Sequence, residues 1–104
     1  MSKRIALTDG TGRWFSLDSA ECIKEDTFWD GHNWISHATG SQWNHEYLYI
    51  TKGNRFILNC FSNYQGSRET YEEISKEDAA IWLSTNNKEP HELCEKEFAE
   101  LEIK

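Results

Sequence analysis

The residues best suited to chemistry crowd into one segment, Phe28 to Tyr49. There Phe28, Trp29, Trp34, Trp43, Tyr47 and Tyr49 are interleaved with His32, His37 and His45 and with the amides Asn33, Gln42 and Asn44. Aromatic faces stack on flat or apolar groups, and imidazoles and amides add directional hydrogen bonds, so the segment has the make-up of a recognition surface. The same composition has a second use. In a chain poor in Leu and Val, Trp and Tyr can build the core of a small sheet, with their N–H and O–H groups satisfied nearby. The two uses make opposite predictions about the exposure of Trp29, Trp34 and Trp43.

Asp30, His32, His37, His45 and Cys60 are all metal-ligand types. The first four are separated by two, five and eight residues across strand and loop, which matches neither HExxH nor a CxxC template. No metal and no cofactor is therefore expected. His45 beside Glu46, or His37 with Asp30, offers the makings of an acid–base pair. The adjacent carboxylates Glu25/Asp26, Glu72/Glu73 and Glu77/Asp78 point apart or sit in solvent in most structures. There is no Gly-rich phosphate loop, GxSxG elbow or local Cys–His signature, so the sequence favours a non-catalytic protein.

The elements that must position these residues are mainly strands. Lys3–Thr8 and Arg13–Leu17 flank Asp9-Gly10-Thr11-Gly12, whose glycines supply positive φ for a first hairpin. Asp18 or Ser19 is placed to cap a single helical turn carrying Ala20 and Ile23. Asp30-Gly31 marks a turn, and residues 33–38 read as a weak strand. Glu46–Thr51 and Arg55–Ser62 are rich in β-formers and are joined by Lys-Gly-Asn, the clearest hairpin in the chain, with Gly53 suited to the first central position of a type II′ turn. Alternation places Phe56, Leu58 and Cys60 on one face and Ile57, Asn59 and Phe61 on the other, a pattern for a central strand covered on both sides. Residues 70–74 add a last short strand, whose edge near Tyr71 is open to pairing with a second copy.

Ser41-Gln42-Trp43 and Ser62-Asn63-Tyr64 repeat a Ser–amide–aromatic order, one just before and one just after this hairpin. Antiparallel pairing brings the two triplets side by side. The candidate binding rim is therefore Trp29, His32, Trp34, His37, Gln42, Trp43, His45, Tyr64 and Gln65.

The period changes after Ile74. Ser75 caps a helix over about 76–86, with Asp78 at the third helical position, Ala79, Ala80, Trp82 and Leu83 on one face, and Asn86-Asn87 at the end. Pro90 suits the start of a second helix, with Leu93, Cys94, Phe98 and Leu101 as its stripe and Glu92, Glu95, Glu100 and Glu102 as an acidic face. The expected fold is α+β: an antiparallel meander of four to six strands, with one or two C-terminal helices on one face.

The whole chain of 104 residues forms one domain with net charge −7. Residues 1–64 carry 6 basic and 7 acidic groups, and residues 65–104 carry 5 and 11. Twelve of the fourteen aromatics lie before residue 75, so an aromatic, nearly neutral front meets an acidic back. The charge argues against direct nucleic-acid binding and against an anionic membrane surface. No apolar run approaches the ~20 residues of a membrane span, and the N-terminus leads into no signal-peptide core. Three cysteines in no paired pattern suit a reducing compartment, so a cytoplasmic protein is expected.

Trp29-Asp30-Gly31-His32-Asn33-Trp34-Ile35-Ser36, then Ala38 to Glu46, Gln65-Gly66-Ser67, Tyr71 to Ser75 and Ala79 to Leu83 resemble a group of small, uncharacterised bacterial proteins of about this length, in part carried by prophages or mobile elements. The likeness covers roughly residues 28–93. It implies a bacterial, cytoplasmic, one-domain protein and brings no catalytic residues.

Three functions fit the sequence. The first is a bacterial binding or regulatory module acting through protein–protein contact, as monomer or homodimer, with the aromatic rim as contact and the acidic helix for steering. The second is an acidic DNA mimic that inhibits a nucleic-acid-binding protein. The third is a small enzyme or ligand-binding domain in which His32, His37 and His45 converge in a Trp-lined pocket.

Overall fold

The computed structural model describes residues 3–63 and 68–104. The fold is α+β, with antiparallel strand pairs and two short helices near the C-terminus. The strands are β1 (Arg4–Ala6), β2 (Trp14–Ser16), β3 (Glu21–Lys24), β4 (Thr27–Trp29), β5 (Trp34–Ser36), β6 (Asn44–Ile50), β7 (Phe56–Ser62) and β8 (Thr70–Ile74). The helices are α1 (Lys76–Thr85) and α2 (Glu95–Ala99). Four strands form one sheet in the order β3-β6-β7-β8, while β1–β2 and β4–β5 are separate hairpins. The described strands number eight because Glu21–Lys24 and Thr27–Trp29, too short to show a period, also find partners.

β7 lies between β6 and β8, and its alternation divides it as the sequence predicts. Phe56 joins Leu48, Ile50, Ala79, Ala80, Trp82, Leu83 and Cys94 in a buried cluster under the helices, with Leu58 packed against it. Ile57 belongs to the opposite face, where Leu7 and Phe15 of the first hairpin close a second cluster against Tyr49 and Tyr71. Each face of the sheet is thus covered by a different element. Burying one such aliphatic or aromatic side chain is worth roughly 1.5–3 kcal/mol.

Helix α1 starts where Ser75 Oγ accepts the Asp78 N–H at 3.1 Å. It ends as the sequence predicts: Asn87 takes φ 56°, and the N–H groups of Asn87 and Lys88 donate to the carbonyls of Ser84 and Leu83, closing a Schellman motif. The glycines of the first loop also adopt positive φ, 79° at Gly10 and 78° at Gly12.

Four local expectations are corrected. The β6–β7 turn is not type II′: Gly53 lacks positive φ, and Asn54 takes φ 65° while its N–H donates to the Thr51 carbonyl. This is a three-residue loop ending in a left-handed residue, a role Asn fills at modest cost. Asp18 and Ser19 do not cap the turn but lie inside it: a single 3-10 turn (Leu17–Ser19), with Ser16 at the cap position, gives way to β3, so Ile23 sits on a strand, where pairing with β6 outweighs weak local helix signals. The last helix is short: a 3-10 turn (Glu92–Cys94) precedes α2, which stops at Ala99 and leaves Glu100 and Leu101 beyond it. Finally, the edge at Tyr71 is occupied. The Tyr71 carbonyl accepts from Thr8 N (2.8 Å), and its N–H donates to Thr8 Oγ1 (3.0 Å), which blocks strand addition there.

Candidate functional site

The β4–β5 hairpin carries the outward aromatic surface. Its turn is held by Asp30, whose Oδ1 accepts the N–H groups of Asn33 (2.7 Å) and His32 (2.8 Å), while Gly31 supplies φ 105°. These amide donors, Asn33 first, hold the Asp30 carboxyl below the usual carboxylate range. The register then places Trp29 opposite Trp34 and Phe28 opposite Ile35. Asp30 N donates to Asn33 O, which makes Trp29–Trp34 a non-hydrogen-bonded pair, the kind whose side chains approach most closely. Their rings meet edge to face with centroids 5.6 Å apart. Both remain open to solvent, Trp29 at 54 % and Trp34 at 62 %, with Phe28 and Trp43 each at 41 %. The exposures decide between the two readings of this segment: these aromatics are surface, and the core is built by the sheet and α1.

The base of the hairpin is fixed to the body. Asn86, fully buried, accepts the Asp26 N–H through Oδ1 and donates from Nδ2 to the Trp82 carbonyl. Asn87 donates to Asp26 Oδ2, and this bond lowers the Asp26 carboxyl. His37 packs edge-on to Phe28 at 4.8 Å and lies 3.6 Å from Asp26, not against Asp30.

A second network surrounds His45. Its Nδ1 lies 2.6 Å from Glu25 Oε2, and the other oxygen of Glu25 accepts from Ser36 Oγ and Glu46 N, each at 2.7 Å. The Glu25 side chain is only 5 % exposed. On the other side of the ring, Nε2 lies 3.3 Å from Asn63 Nδ2. The acid–base partner of His45 is therefore Glu25, not the adjacent Glu46. Glu46 turns to the other side of the strand, accepting from Trp82 Nε1 at 3.0 Å and from Cys60 Sγ at 3.6 Å. Burial, reinforced by Glu46, pushes the Cys60 thiol up to about 11, so it is held protonated and poorly nucleophilic.

Among the described residues the two triplets touch at Trp43 and Asn63: Asn44 stands opposite Ser62, and Asn63 N donates to the Trp43 carbonyl at 2.9 Å. Gln42 is half-buried in the preceding turn. Tyr64 and Gln65 lie outside the described residues. The three imidazoles do not converge. His32 is exposed at the hairpin tip, His37 rests on Phe28 and His45 on Glu25. Among the described residues no three His, Cys, Asp or Glu side chains form a metal-holding group. Glu92, Glu95, Glu100 and Glu102 are all exposed, but only Glu95 lies within α2.

Sequence reasoning missed Glu25, Ser36 and Asn86. Their roles depend on partners 11 to 60 residues away in the chain, and no local pattern marks them. No helix among the described residues is long and apolar enough to cross a membrane. No protein-family model, curated protein or solved structure matches the chain.

Proposed function

We propose that this chain is a non-catalytic binding module that works by protein–protein contact, with the β4–β5 hairpin as its contact surface. The observation that carries the reading is the Trp29–Trp34 pair: two indoles directly opposite one another, each more than half exposed, on a hairpin tied down at its base. Trp is the residue most enriched among those that dominate interface energies, and a rigid indole loses little entropy on contact. Phe28 and Trp43 add exposed apolar area. The partner that fits is a protein with an apolar pocket for the indoles and a basic rim, because the exposed carboxylates Glu92, Glu95, Glu100 and Glu102 would attract such a rim at long range.

The test is affinity capture from bacterial lysate at low salt and at 0.5 M salt, with the wild type beside Trp29→Ala/Trp34→Ala. The reading expects a discrete partner, retained by the wild type and lost by a folded double variant, with weaker capture in salt. Failure to capture anything at either salt, or equal capture by both proteins, overturns it.

A further inference from the structure

A groove on the side of the sheet covered by the first hairpin takes no part in that reading. It has a volume of about 620 Å³ and opens between the β1–β2 loop, the Thr51–Arg55 turn and β8. This lies within the roughly 300–1,000 Å³ typical of small-molecule sites. Its floor is apolar and rigid: Leu7, Phe15 and Ile57 belong to the buried cluster of this face. Trp14, 56 % exposed, forms one aromatic wall.

The charged residues on its lining are Arg13, Lys52 and Arg55 against Glu73, three cations to one carboxylate, in a chain whose net charge is −7. Glu73 sits between the guanidiniums, 2.7 Å from Arg13 Nη1 and 2.6 Å from Arg55 Nε. Each of the three guanidinium nitrogens of Arg13 has a partner: Nη1 bonds Glu73, Nη2 bonds Asp9 and Nε bonds Thr11. Arg55 differs. Its Nε anchors it to Glu73, and among the described residues its two Nη groups have no hydrogen-bond partner. It is a guanidinium oriented at one end and open at the other. That is the geometry which receives a planar anion through parallel N–H donors.

We infer that this groove is a binding site for a small planar aromatic carboxylate, its ring on the Phe15–Ile57 floor beside Trp14 and its carboxylate on Arg55. Apolar floor, aromatic wall and open guanidinium each select one part of such a molecule. The inference is independent of the hairpin contact, which lies in other strands.

The test is a titration of the ¹⁵N-labelled chain followed by amide and indole N–H resonances. The probes are indole-3-acetate, its neutral analogue indole-3-ethanol, and inorganic phosphate. Indole-3-acetate is expected to shift Gly12, Gly53 and the Trp14 indole saturably, leaving Gly31 and the Trp29 and Trp34 indoles unmoved. The neutral analogue and phosphate should each bind at least about tenfold more weakly, since each lacks half of the match. Arg55→Gln should remove the preference for the carboxylate while retaining weak binding of indole-3-ethanol, and Trp14→Ala should weaken both aromatic probes. Trp29→Ala/Trp34→Ala should bind the probe like the wild type. The inference is overturned if no groove resonance moves at millimolar probe, if the neutral analogue or phosphate binds as well as the carboxylate, or if Arg55→Gln leaves the preference intact.

Discussion

Glu25 Oε2 lies 2.6 Å from His45 Nδ1, although the two residues are 20 positions apart. The register of β3 on β6, which sets Lys24 opposite Tyr47, carries the next residue, Glu25, to the backbone of Glu46 and the ring of His45. Three donors converge on this one carboxylate, from β5 and β6. Glu25→Ala should therefore destabilise the fold by about 3 kcal/mol, because it strands three partly buried donors, and Glu25→Gln by roughly half of that. Urea denaturation measures both. A loss below about 1 kcal/mol for Glu25→Ala would show that water replaces the carboxylate without cost.

The Trp29–Trp34 pair is expected to contribute to the hairpin by about 0.5–1.5 kcal/mol, the range for edge-to-face aromatic pairs. Single and double alanine variants, arranged as a thermodynamic cycle, isolate that coupling. The global fold should survive the double variant, since neither indole belongs to a buried cluster. Exciton coupling between the two rings in far-ultraviolet circular dichroism should vanish in either single variant.

Acid should weaken the contacts that hold Asp9, Asp26, Asp30 and Glu73 only once it is strong enough to protonate them. Asp9, Asp26 and Asp30 are held below their ordinary value by hydrogen bonds from Thr11, Asn87 and the Asn33 amide respectively. For Glu73, burial pushes upward, but the hydrogen bonds from Arg13 and Arg55 outweigh it and the net shift is downward. A carboxyl depressed in the folded state gives stability that is fully present above its unfolded pKa, about 4, and is lost as pH falls through the folded value. Stability should be flat from neutrality to about pH 5 on this account and fall below pH 4. Asp30→Asn should flatten part of that fall, as read by amide exchange of His32 and Asn33.

The cysteines should alkylate in a fixed order. Cys22 is exposed, Cys60 is half-buried with its thiol raised to about 11, and Cys94 is buried with its thiol also raised by burial. Iodoacetamide at pH 8 should modify Cys22 first, and the other two only at the rate of unfolding, as followed by intact mass. Fast labelling of Cys60 would contradict its contact with Glu46.

Two asparagines hold left-handed backbone, Asn54 at φ 65° and Asn87 at φ 56°. Glycine adopts this region without steric cost, so Asn54→Gly should be neutral or stabilise by up to about 1 kcal/mol, whereas Asn87→Gly also loses the bond to Asp26 and should gain less. Thermal melts check this, and Asn86→Gly, which removes the buried amide holding Asp26, serves as the destabilising contrast.

What the sequence revealed followed from signals confined to a few neighbouring residues. Ser75, the Ala79–Leu83 stripe and Asn87 each fix α1 locally, and the long β-forming runs of β6 and β7 fix their pairing. Phe56 and Ile57 could be assigned to opposite faces because a strand has period two. The outward setting of Trp29 and Trp34 was not legible, since a three-residue strand has no alternation to read and an aromatic run suits a core equally well. Glu25 was hidden for another reason: its partners come from strands remote in sequence, and an acid before Asp26 looks like ordinary surface. The type II′ expectation at Gly53 failed because glycine permits positive φ without requiring it, and the loop used Asn54 instead.

Phe56 and Ile57 are joined by one peptide bond yet belong to the apolar clusters on opposite sides of the sheet. Neither side can therefore come apart while the other keeps its order, because the strand they share must straighten or fray as a whole. The molecule should behave as one melting unit. A ligand settling on Ile57 would be felt by the helices as a rise in the common midpoint, with no movement of any atom between them.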